Sequence, residues 1–309
     1  MRCDSRKVGI VGLGKVGITA AYALLLRHAA DELVLVSRSL EKVEGEKLDL
    51  EHGLPFLEPT QITATNNFAD LQDADVIIIA AGAAQQPGQT RLDLVKQNKE
   101  IMSELVEQLK PYVQNSVVVV VSNPVDILTY HMAMALDLPR GRVIGSGTML
   151  DTARFRFHMG ELLGVHPRSI HAYVLGEHGD SSFPALAYAT VGGQSLGNFP
   201  NYSKEKAQQA YQDTRDAAAK IIQSKGATYY AIGVVITQLV ETILHDKRSV
   251  LPVSTVIDDY YGQSGLAISV PCIVGREGVE QVLKVELSDE EQELFIQSCQ
   301  VIKRFGASD

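Results

Sequence analysis

The first half of the chain reads as short apolar runs separated by longer stretches of helical period. VGIV (8–11), ELVLV (32–36), DVIIIAA (75–81) and SVVVVVS (116–122) are continuously apolar rather than alternating. A strand covered on both faces needs no polar side, so such runs fit parallel strands between layers of helix. Helical patterns fall between them at 15–27, 40–52 and 91–113. The β-α-β-α order predicts right-handed crossovers and an open α/β fold with a doubly wound parallel sheet.

The second half has a different grain. Its pattern predicts a helix over 149–163, a strand HAYVL (171–175), a turn-rich stretch at 195–199, and long helices over 203–224 and 226–246. The final helix opens at Ser288-Asp289-Glu290-Glu291, where Ser288 and Glu291 have capping-box spacing, and Phe295, Cys299 and Ile302 share one face. No repeat or long polar linker divides the chain. The expectation is two tightly packed domains, 1–145 as a dinucleotide-binding unit and 146–309 as an α+β substrate-binding unit.

Composition narrows the function classes. The 309 residues are 45% hydrophobic and 21% charged, ordinary for a globular chain, and the net charge of −9 offers no field to gather nucleic acid or anionic lipid. Cys3, Cys272 and Cys299 are scattered, with no spacing that suggests a disulfide framework or a zinc site, which favours a reducing compartment. No apolar run reaches the length of a membrane span, and RKVGIVGLG follows the N-terminus without a signal-peptide core. A cytoplasmic protein with neither nucleic-acid nor membrane partners is expected.

GLGKVG (12–17) sits between the first strand and an alanine-rich helix. In that setting Gly12 makes the tight turn, Gly14 lets backbone approach a pyrophosphate, and Gly17 allows close helix–strand packing. At the end of the second strand an acid is expected to hold the adenosine ribose. Here Ser37, Arg38 and Ser39 follow instead. A carboxylate repels a 2′-phosphate, whereas serine and arginine can bind one, so both NAD and NADP are open; alternatively Ser37 bonds the ribose and Arg38 lies in solvent.

Charged groups recur after the other strands. AGAAQQPGQTR (81–91) ends in Arg91, SNPVD (122–126) carries Asn123, and GSGTMLDTARFR (145–156) sets Asp151 and Arg154 three residues apart on similar helix faces. LGEHGDSS (175–182) flanks His178 with an acid and two nearby glycines. That histidine alone could be a proton shuttle, a metal ligand or a turn cap. The metal reading has only Glu177 and Asp180 nearby, so no metal is expected. Taken together the groups suggest a chemistry. Arg154 can fork a carboxylate, Arg91 and Asn123 can support a carbonyl oxygen, His178 can exchange its proton, and Asp151 can orient the ring. A nicotinamide must supply the hydride.

The ordered set GLGKVG, AGAAQQPGQTR, SNPVD, GSGTMLDTARFR, LGEHGDSS and KGATYYAI resembles the L-lactate/malate dehydrogenase family from residue 7 to at least 305. The resemblance implies a Rossmann fold, a homotetramer and His178 as proton donor and acceptor. It makes Asp151 the partner of His178, Arg154 the carboxylate anchor and Arg91 the carbonyl polariser. It also implies cofactor contacts at Val16, Lys42, Gly82, Ala83, Ser122, Asn123 and Ser146, besides the glycines, Ser37 and Arg38. Gln85 stands where malate-type members carry arginine for a second carboxylate, and Thr228 with Ile232 looks like the lactate-type pocket. Pyruvate and L-lactate are therefore the expected substrates; the alternative is malate or another 2-hydroxy acid. Arg156 and His171 match the positions through which bacterial members bind fructose 1,6-bisphosphate between subunits. Two departures are Ser37 for the usual aspartate, and Gln86 for a commonly basic loop residue.

Overall fold

The computed structural model describes residues 5–83 and 91–306, with only the backbone of Arg91. Six parallel strands form the centre: β1 (Lys7–Val11), β2 (Glu32–Val36), β3 (Gln61–Thr65), β4 (Val76–Ile79), β5 (Val117–Val120) and β6 (Val143–Gly145). They lie in the order β3-β2-β1-β4-β5-β6, so the chain reverses direction across the sheet between β1 and β4. This is the doubly wound arrangement that the apolar runs predict. Helices α1 (Lys15–Leu26), α2 (Leu40–Gly53), α3 (Arg91–Leu109) and α4 (Val125–Leu136) connect them. Two apolar clusters divide the sheet's faces. Val8, Ile10, Leu33 and Ile78 belong to one, and Val11, Val34, Ile77 and Val118 to the other.

The second half contributes α5 (Met149–Leu163), β7 (Ile170–Leu175), β8 (Phe183–Val191), β9 (Gln194–Ser195), α6 (Lys204–Lys225) and α7 (Tyr230–Leu244). Then come β10 (Ser249–Ile257), β11 (Leu266–Gly275), β12 (Gly278–Val282) and α8 (Asp289–Gly306). Strands β7, β8 and β9 form their own small antiparallel sheet. The antiparallel β10-β11-β12 set extends the large sheet to nine strands, Ser254 of β10 pairing with Gly145 of β6.

Three helices differ from the sequence pattern, which assigns none to the stretch of α4. α3 ends at Leu109, and α7 starts at Tyr230 instead of 226, because Gly226 takes φ +82 and closes α6. The capping box forms as expected. The Glu291 N–H donates to Ser288 Oγ at 3.3 Å, and the Ser288 N–H to Glu291 Oε2 at 3.0 Å. Glu291 Oε1 also accepts from the Leu186 and Ala187 N–H groups, which seats α8 on β8.

Candidate active site

The C-terminal ends of the parallel strands bring the predicted cofactor residues to one edge. Gly12 has φ +97, and a Cβ there would lie 2.4 Å from the Ala81 nitrogen, so β1 turns hard against the end of β4. A Cβ on Gly17 would stand 2.0 Å from the Gly12 oxygen, which holds α1 close to β1. Gly14, the N-cap of α1, has nothing within 4 Å of its Cβ position, no side-chain cap and no acid in the first turn after it. This leaves an open cradle at a helix N-terminus, which suits the pyrophosphate of a dinucleotide.

At the end of β2, the Ser37 N–H donates to the Thr65 carbonyl, Arg38 and Lys42 are exposed, and Ser39 Oγ caps α2 by accepting from the Lys42 N–H. Gly82 and Ala83 follow β4. Ser122 Oγ donates to the Ala81 carbonyl at 2.5 Å, and the Ala83 N–H donates to Asn98 Oδ1 at 2.7 Å. Asn98, fully buried on α3, also donates from Nδ2 to the carbonyls of Ala83 and Asn123. It clamps two strand-end loops together. Gln85 and Gln86 lie outside the described residues, as does the side chain of Arg91.

A cavity of about 350 Å³ opens beside this edge, lined among others by Val16, Asn123, Ser146, Asp151, Arg154, His178, Thr228 and Ile232. Helix α5 supplies Asp151 and Arg154 from its first turns, and its start is held to β7: Thr148 Oγ1 donates to the Val174 carbonyl at 2.6 Å. Directly beyond β7, Gly176 (φ +95) pairs with Ser269 of β11 and turns the chain, which aims His178 at α5. The His178 Nδ1–H donates to Asp151 Oδ2 at 2.6 Å. Arg154 Nη1 reaches Asp151 Oδ1 at 3.3 Å, while its Nη2 is buried without a partner. An orphaned guanidinium nitrogen at a cavity wall is a ready partner for a ligand carboxylate.

The electrostatics favour a protonated ring. The Asp151 charge, helped by its hydrogen bond, holds His178 above the usual histidine range against the opposing effect of burial. Burial alone would raise the Asp151 carboxyl, but the His178 charge, their hydrogen bond and Arg154 outweigh it and hold it low. Such a pair can give a proton to a bound carbonyl and take it back.

The lining or supporting residues that escaped the sequence reading include Asn98, Asp126 and Tyr211. Tyr211 of α6 lines the cavity and bonds through its hydroxyl to Ser182. Nothing in the one-dimensional pattern separates Asn98 or Tyr211 from other helix residues; Asp126 lies in the SNPVD run. Arg156 and His171 stand apart from the cavity. Arg156 Nε donates to the Ala172 carbonyl at 2.8 Å, next to the exposed His171, and its guanidinium covers the Tyr173 ring at 4.8 Å. Among the described residues, no group of three or more His, Cys, Asp or Glu could hold a metal ion, and no helix is long and apolar enough to cross a membrane.

The lactate/malate dehydrogenase NAD binding domain matches residues 6–145, and the alpha/beta C-terminal domain of the same family matches 148–305. The chain belongs to the lactate/malate dehydrogenase family. Within it, an L-lactate dehydrogenase of Kosmotoga olearia is 42% identical over 96% of this chain and 94% of that relative. L-lactate dehydrogenase 2 of Bacillus anthracis is 41% identical over 98% of both chains. The crystal structure of the minor L-lactate dehydrogenase from Enterococcus mundtii, in a ligands-bound form, superposes with a TM-score of 0.95 at 40% identity, covering 98% of each chain. The family's NAD-binding half thus coincides with the glycine cradle, and its C-terminal half with the Asp151–His178 pair.

Proposed function

We propose that the chain is an L-lactate dehydrogenase that reduces pyruvate reversibly to L-lactate. The observation that carries this reading is the 2.6 Å Asp151–His178 pair sharing a cavity with the unpartnered Arg154 Nη2. Arg154 anchors the pyruvate carboxylate, and its orphaned nitrogen gains the hydrogen bond it lacks. The Nδ1–Asp151 bond leaves Nε2 of His178 to donate its proton to the substrate carbonyl oxygen. Asp151 stabilises the imidazolium before transfer. Asn123 and Arg91 support the same oxygen, and Thr228 and Ile232 enclose the methyl end. A bound nicotinamide supplies the hydride.

The glycine cradle holds the pyrophosphate, with Val16, Gly82, Ala83, Ser122 and Ser146 along the cofactor and Ser37, Arg38 and Lys42 at its adenosine end. Ser37 in place of an acid admits NADPH as well as NADH. Gln85 carries no charge for a second carboxylate, which disfavours oxaloacetate by several kcal/mol, roughly the cost of desolvating it unpaired. The same reading divides the chain at 145/146 into cofactor and substrate domains. It makes the protein a cytoplasmic homotetramer, with fructose 1,6-bisphosphate bound by Arg156 and His171.

The test is a steady-state comparison of pyruvate and oxaloacetate, each with NADH and NADPH, followed by cofactor fluorescence because the chain has no tryptophan. Pyruvate should give the higher kcat/KM with either cofactor. A preference for oxaloacetate would overturn the lactate assignment.

A further inference from the structure

Asp126 is the second residue of α4 and is 2% exposed, yet neither of its oxygens is idle. Oδ2 accepts the peptide N–H of His178 at 2.7 Å, and Oδ1 accepts the hydroxyl of Ser254 at 2.6 Å. Both oxygens accept, the pattern of an ionised carboxylate, and the N-terminus of α4 favours negative charge there. Ser254 sits on β10 opposite Gly145 of β6, so the carboxylate ties the interior of the large sheet to the backbone of the histidine itself.

We propose that Asp126 is a positioning residue for His178, fixing its backbone against β10 and supplying a second negative charge behind the imidazole. This rests on the pyruvate-reductase reading above. Asp151 governs the ring's rotation and Asp126 the place from which the ring projects; they act on different atoms of one residue. Placement matters because proton transfer needs donor and acceptor within hydrogen-bond reach, and a displacement of about 1 Å can cost a hundredfold.

The charges around the site agree. His178 faces Asp151 and Arg154 from α5 and Asp126 from α4. Both carboxylates raise its proton affinity, Asp151 more and Asp126 less, while Arg154 and burial oppose them. Asp126 in turn faces His178, Asp151, the Ser254 hydroxyl of β10 and the Cys299 thiol of α8. Burial pushes its carboxyl above the ordinary range, and the bonds from Ser254 and His178 pull the other way. A buried carboxylate kept at such cost, away from the cavity lining, calls for a role beyond packing.

The experiment measures kcat and KM for pyruvate against pH in the wild type, Asp126→Asn and Ser254→Ala, together with NADH affinity by fluorescence. In Asp126→Asn, kcat should fall about tenfold or more, short of the roughly hundred- to ten-thousand-fold that a whole acid–base group contributes. The alkaline limb should move to lower pH, since one of two negative charges is gone. NADH affinity should hold, because neither residue touches the glycine cradle. Ser254→Ala keeps the charge and loosens the tether, so its kcat should fall while the limb stays near the wild-type position. This variant carries the test if Asp126→Asn does not fold. An unmoved limb in Asp126→Asn, or an unchanged kcat in Ser254→Ala, overturns the proposal. A wild type that does not reduce pyruvate overturns the functional reading instead. In that case the His178 titration followed by NMR in wild type and Asp126→Asn still decides whether Asp126 acts on the ring.

Discussion

Single side chains set the proton chemistry. Asp151 is the main reason that His178 binds its proton tightly, and pyruvate reduction uses the protonated form. Because the folded value is raised, the imidazolium persists to higher pH than in a free histidine and is lost as pH rises through that value. Asp151→Asn removes the cause, so the alkaline limb of kcat/KM for pyruvate should move to lower pH. Turnover near neutrality should fall by about a hundredfold or more. A pH–rate profile of the variant checks this; a limb that stays in place would show that the charge does not govern the ring. In the proposed function Ser37 governs a different question at the same scale, the choice between NADH and NADPH. A carboxylate there would face the 2′-phosphate of NADPH and only the ribose hydroxyls of NADH. Ser37→Asp is therefore expected to weaken NADPH far more than NADH, measured as the ratio of the two dissociation constants.

The elements show what a single sequence makes legible. β1, β2, β4 and β5 are visible because burial on both faces leaves unbroken apolar runs such as VVVV at 117–120. β3 (QITAT) lies at the sheet edge, half exposed, and its short mixed pattern carries no such signal. β10 and β11 belong to the same large sheet but hold Pro252 and Pro271 opposite one another, together with serines and threonines, so they read as irregular chain. The site follows the same logic. The motifs place His178, Asp151 and Arg154, which the fold brings into one cavity, while Asp126 is visible only once β10 lies beside β6. Helix contacts follow it too: α1 packs on α7, with Arg27 Nε on Glu241 Oε1 at 2.5 Å and Lys247 Nζ on Oε2 at 2.9 Å. Burial alone would raise the Glu241 pKa, but the bonds from Arg27 and Lys247 prevail and lower it. A depressed carboxylate contributes stability above its unfolded pKa of about 4.3 and loses it as pH falls through the folded value. Glu241→Gln should thus cost about 1–3 kcal/mol at neutral pH. In thermal unfolding, its Tm gap from the wild type should narrow as pH falls below about 4.3 and close only below the depressed folded value, where the wild-type carboxylate also becomes neutral. A gap independent of pH would assign the loss to packing.

At the scale of the whole molecule, the question is what an acidic chain gains from a pair of basic side chains outside its cavity lining. The net charge is −9, yet Arg156 and His171 sit at neighbouring positions on α5 and β7. Arg156 is already held, its Nε on the Ala172 carbonyl and its flat face on Tyr173, so little side-chain freedom remains to be lost when an anion binds. Large apolar side chains also stand in solvent on the single chain: Tyr22 and Leu26 on α1, Leu48 on α2, Phe56 just after it, and Val234 on α7. Such side chains suit burial between subunits, in keeping with the proposed homotetramer. Where two copies meet, like charges from both would repel unless an anion compensates them. In the proposed reading, a bisphosphate would bind the assembled arrangement better than the loosened one and shift the population toward it. Fructose 1,6-bisphosphate should lower the half-saturating pyruvate concentration about fivefold or more in the wild type. It should also raise the tetramer fraction seen by sedimentation in dilute solution. Arg156→Leu should retain turnover at saturating pyruvate and lose both responses, because its substitution touches neither the cavity nor the glycine cradle. If the wild type shows neither effect, the reading of Arg156 and His171 as a bisphosphate site is overturned; if the variant still responds, the phosphate binds elsewhere.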